Sequence, residues 1–88
     1  MKVVVTRIGQ DGTVWRRMVD TAECGDGDQW DASIARALAT EPPPYRPVAG
    51  SPVCHLRLND RVVLVAEHDL GGPLRDLVTA VLAVGEPV

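Results

Sequence analysis

Apolar and polar positions follow one rhythm twice along this chain: two β-type segments around a turn signal, then a segment with helical spacing. Lys2–Ile8 is rich in β-branched residues and predicts a strand. Gly9-Gln10-Asp11-Gly12 predicts a turn, since either glycine tolerates a positive φ. Thr13–Asp20 is the returning strand, with Val14, Arg16 and Met18 on one side and Trp15, Arg17 and Val19 on the other. Neither side is cleanly apolar, so the pattern leaves open which looks inward. After the polar loop Thr21–Gly27, Asp28 suits an N-cap and Asp31 adds negative charge to a first helical turn. Trp30, Ile34, Ala37 and Leu38 recur at helical spacing and predict a helix from about Gln29 to Ala39. The run Glu41-Pro42-Pro43-Pro44-Tyr45-Arg46-Pro47 ends it and predicts an extended crossover.

The second half is clearer. Cys54, Leu56 and Leu58 alternate with Val53, His55 and Arg57, as a strand with one buried face requires. Asn59-Asp60 suits a two-residue hairpin turn. Arg61–Ala66 follows as an unbroken apolar strand, which predicts burial on both faces or a central place in the sheet. A last helix is expected to begin at Asp69 or Gly72, with Pro73 in its first turn. Leu70, Leu74, Leu77, Val78, Val81 and Leu82 form its apolar stripe, Gly85 a stop, and Glu86-Pro87-Val88 a loose tail. The order is ββαββα. Short hairpins dictate antiparallel neighbours, so the predicted fold is α+β: one four-stranded antiparallel sheet with both helices on one face.

Length and composition narrow the function. Eighty-eight residues predict one domain with a thin core, residues 1–88. A net charge of −3 argues against non-specific nucleic-acid binding, and no apolar run is long enough for a membrane span. The opening Met1–Arg7 lacks the apolar run of a signal peptide, so a cytoplasmic location is expected, with Cys24 and Cys54 as free thiols. Aromatic residues make up 3% of the chain, with no Phe, so Val, Leu and Ala must fill most of the core.

Candidates for catalysis or metal binding are few. Glu67-His68-Asp69 is dense in ligand-type side chains, but consecutive residues diverge and none has i, i+4 spacing. Cys54 and His55 adjoin in a strand and so face opposite sides. No nucleophile elbow, phosphate loop or C-x-x-C is present. The expectation is a non-enzymatic chain with no cofactor and no metal. Arg7, Arg16 and Arg17 gather positive charge in the first hairpin, either as a solvated face or as a contact patch for an acidic partner. Trp15 fits either a core position or an interface beside those arginines.

The opening Met1-Lys2-Val3-Val4-Val5-Thr6-Arg7, the glycine turn, Arg16-Arg17 and Val19-Asp20 resemble the protealysin-inhibitor (emfourin) family. So does the later order: hairpin Leu56–Val65, then Glu67, Leu70, Pro73-Leu74, Leu77 and a closing apolar helix. The resemblance implies a small α+β bacterial inhibitor of thermolysin-like zinc metalloproteases, without a metal of its own, acting by loop occlusion of the protease cleft. Carried onto this chain, it implies partner-binding residues Arg7, Gly9, Gln10, Asp11 and Gly12 at the hairpin tip, with Trp15 and Arg16 flanking. The turn here is shorter than in similar chains and lacks their aromatic residue. The alternative expectation is an assembly module, forming a homodimer or a hetero-complex through an exposed sheet edge.

Overall fold

The computed structural model describes residues 1–42 and 44–87. Pro43, within the expected crossover, and Val88, within the expected tail, lie outside the described residues. Strands β1 (Lys2–Ile8) and β2 (Val14–Asp20) are followed by helix α1 (Gly27–Ala39). Strands β3 (Val53–Leu58) and β4 (Arg61–Ala66) are followed by helix α2 (Gly72–Val84) and a two-residue strand β5 (Glu86–Pro87). Single 3-10 turns at Thr21–Glu23 and Glu67–Asp69 carry the chain from each hairpin toward its helix.

All strand pairs are antiparallel, in the spatial order β4-β3-β1-β2-β5. The two hairpins therefore meet through their first strands, Val5 lying opposite Leu56 and Val3 opposite Leu58. Val3, Val5, Val19, Leu56, Leu58, Val63 and Val65 share one sheet face and pack with Trp30, Ile34 and Ala37 of α1 and Leu74, Leu77, Val78 and Val81 of α2 in one buried cluster. Val3, Val5, Leu77 and Val81 are the largest fully buried side chains, so the core centres where α2 crosses β1 and β2. This resolves the ambiguous second strand: Val19 looks inward at 5% exposure, and Trp15 and Arg17 share its side of the strand beyond the cover of the helices. On the opposite face Thr6 is the buried polar residue, and its hydroxyl accepts from Arg16 Nε at 3.1 Å.

Three expectations are corrected. The sheet has five strands rather than four, because the tail does not hang loose: Met18 pairs with Glu86 and Arg17 with Pro87. Gly85 permits this. A Cβ there would stand 2.5 Å from the Val81 carbonyl oxygen and 3.1 Å from Arg17 Cβ, so only glycine lets the chain leave α2 tightly against β2. The unbroken apolar β4 is an edge strand rather than a central one, with Val62 54% and Leu64 38% exposed. An apolar run reports affinity for burial, but both helices cover the same face and nothing among the described residues covers the other. Helix α1 starts at Gly27, ahead of Asp28, because the backbone packs against the 3-10 turn: a Cβ on Gly27 would lie 3.0 Å from the Thr21 carbonyl. Asp28 instead supplies the negative charge in the first turn.

Candidate partner-binding surface

The β1–β2 tip is built from three short hydrogen bonds. Gly9 N–H donates to the Thr13 carbonyl at 2.7 Å and Gly12 N–H to the Gly9 carbonyl at 3.1 Å. Thr13 N–H donates to Asp11 Oδ1 at 3.0 Å. Gly12 sits at φ +85°, so Gln10 to Gly12 form a turn closed by a left-handed residue, a common three-residue hairpin geometry. Of the two glycines able to take a positive φ, only Gly12 does. Gly9 is required for space instead. A Cβ there would lie 2.9 Å from Asp11 Oδ1, where the carboxylate must pass to reach Thr13. The hydrogen bonds from Thr13 hold the Asp11 carboxyl below the ordinary carboxylate range, so it is ionised at neutral pH.

The tip residues Gln10, Asp11, Gly12 and Thr13 are exposed, as are Ile8 (40%), Val14 (59%) and Trp15 (50%) beside them. Arg17 lies over the Trp15 ring, 5.3 Å from its centroid, and donates to the Arg16 carbonyl at 2.8 Å, which holds the indole in place. Residues flanking the tip divide between the faces: Trp15 and Arg17 on the helix side, Val14 and Arg16 on the open side. The Val48–Ser51 turn completes the surface, where the position of a Cβ on Gly50 would be 3.7 Å from Gln10 Nε2.

Five of the seven residues expected to bind a partner, Gly9, Gln10, Asp11, Gly12 and Trp15, thus lie together at or beside the tip. Arg16 stands on the open face with its Nε engaged by Thr6. Arg7 opposes Trp15 across the ladder but reaches the other way, its Nε and Nη2 donating to the two Glu67 oxygens at 3.3 and 3.1 Å. That bidentate bond raises the arginine's pKa further and ties the first hairpin to the exit of the second. The sequence pattern did not mark Ile8 or Val14 as parts of this surface, and it offered Arg17 only as a member of the hairpin's basic patch. The patterns of β1 and β2 hold all three, but their exposure depends on where the helices stop.

The other candidates separate. Cys54 is buried at 2% exposure while His55 faces the open side of the sheet. Burial first, and then the Glu67 charge, push the Cys54 thiol up, so it is protonated at neutral pH. Burial likewise raises the Cys24 thiol, and both cysteines are free. Asp69 lies 3.9 Å from Arg46, and His68 N–H donates to Ser51 Oγ at 2.9 Å. Among the described residues no three His, Cys, Asp or Glu side chains converge as metal ligands, and no helix is long and apolar enough to cross a membrane. A depression of about 590 Å³ lies at the end of the sheet away from the tip, lined by Met1, Lys2, Val4, Asp20, Arg57 and Asn59.

Compared with family models, with curated proteins and with solved structures, the chain matches none.

Proposed function

We propose that this chain is a protein inhibitor of a thermolysin-like zinc metalloprotease and that the β1–β2 tip is the part that enters or covers the protease cleft. The observation that carries this reading is a loop exposed from Gln10 to Thr13 whose backbone is nonetheless closed by three hydrogen bonds. An exposed loop held in one shape loses little conformational freedom on binding, which is how a small surface gains affinity. The same closure opposes turnover, because cleavage needs a segment that can open out. Apolar anchors flank the loop: Trp15, fixed under Arg17, and Val14. Either suits a hydrophobic subsite of such a protease, and an aromatic ring of this kind gives much contact area for few frozen rotors. The ionised Asp11 and the nearby guanidinium of Arg16 give the tip a charged margin. The protein supplies no chemistry of its own in this account; it keeps substrate from the protease's zinc.

The test is a titration of a thermolysin-like protease with the purified chain. Peptidase activity should fall to a stoichiometric end point, and Trp15→Ala should weaken inhibition by roughly tenfold or more, the cost of an aromatic anchor. Full peptidase activity at micromolar excess of the chain would refute the proposal.

A further inference from the structure

The two edges of the sheet are treated differently. On the β2 side, β5 covers the edge and ends in Pro87, which has no N–H to offer a further strand. On the other side β4 has six residues, no proline, and no strand beyond it among the described residues. Its outward groups follow from one hydrogen bond. Glu67 N–H donates to the Pro52 carbonyl at 2.8 Å, continuing the register in which Cys54 opposes Val65 and Leu56 opposes Val63. Hydrogen-bonded pairs alternate along an antiparallel ladder. The inward-bonded residues of β4 are therefore Val65, Val63 and Arg61, and Val62, Leu64 and Ala66 turn their N–H and C=O groups away from β3. These groups have no backbone or side-chain partner outside the ladder among the described residues.

We propose that β4 pairs with β4 of a second copy of this chain, joining two sheets into one across a two-fold axis. Register favours a second copy as the occupant. With Leu64 on the axis opposite its own equivalent, Val62 lies opposite the partner copy's alanine at position 66, and all three outward-facing residues of each strand gain partners. Val63 then meets the equivalent of Val65 on the helix side, and the exposed Val62 and Leu64 extend one apolar open face. The ends of the strand are self-complementary in this same register. Arg61 falls opposite the position of Glu67, and Asp60 opposite that of His68. Arg61, Asp60 and His68 take part in no ion pair among the described residues, and Glu67 keeps 41% of its side chain exposed despite its bond to Arg7. Sliding the strands by two residues toward the hairpin turn sets Arg61 against Val65 and loses both charge pairs. Side-chain pattern thus favours this register over that slide, as it does within a sheet. The contact is small for a protein interface, so the dimer is a weak one. Strand β3 separates β4 from the tip hairpin, so pairing leaves the tip free and the two proposals stand independently.

Sedimentation of the whole chain under reducing conditions, from micromolar to millimolar concentration, tests this. A reversible monomer–dimer equilibrium is expected. Leu64→Pro removes an outward N–H without touching a bond to β3 and should leave a monomer; if that variant folds poorly, Leu64→Lys does the same by charge. Arg61→Glu sets acid against acid at both ends of the pair and should weaken the dimer by about tenfold. A wild-type chain that stays monomeric at millimolar concentration would overturn the proposal. So would a dimer that survives unchanged in a folded Leu64 variant, since that dimer would use another surface.

Discussion

Asp11 holds the tip through one side chain, and its chemistry gives the most local prediction. Its carboxyl is depressed by hydrogen bonding to Thr13, so the bond is intact above the unfolded-state value and is lost as pH falls through the lower folded value. The Thr13 amide resonance should move with a midpoint below that of an ordinary aspartate; a midpoint at or above the ordinary aspartate value of about 3.9 would contradict the assignment. Asp11→Ala should loosen the loop without unfolding the chain, weakening inhibition roughly five- to tenfold with only a small drop in melting temperature. At this scale much was legible. Gly-Gln-Asp-Gly announced a turn, but neither the Asp11 acceptor nor the division of labour between Gly9 and Gly12 was legible, because space for a carboxylate and a positive φ both read simply as glycine. The Arg7–Glu67 bond was equally hidden, joining residues 60 positions apart that only the sheet order brings together.

Elements differ in how plainly their residues speak. The stripe Leu74, Leu77, Val78 and Val81 announced α2, and all four are buried. Leu77→Ala should cost about 2–5 kcal/mol in denaturant unfolding, since it empties the centre of the core. Strand β5 could not be foreseen: two residues, one of them proline, have no strand pattern, and their pairing is set by where α2 ends. The hinge is Gly85, so Gly85→Ala should destabilise the chain by roughly 1–3 kcal/mol through overpacking and speed amide exchange at Arg17 and Met18. A variant with native stability and unchanged exchange would show that the tail does not need this close approach. Strand β4 was recognisable as a strand but not as an edge, because hydrophobicity along one strand does not say which neighbours it receives.

For the whole molecule, the ββαββα order and antiparallel pairing predicted a single apolar layer with both helices on one side, and the buried cluster has that form. What remains outside the layer is an exposed tip at the end of β1 and β2, an open sheet face and a bare β4 edge. The central claim is that recognition of a protease resides in the tip. Amide hydrogen exchange of the chain, alone and with a saturating thermolysin-like protease, tests it most directly, at concentrations low enough to keep the free chain monomeric. Added protection is expected within residues 9–17 and 48–51 and none in residues 61–66. Protection centred on β4, or no protection anywhere, would contradict it.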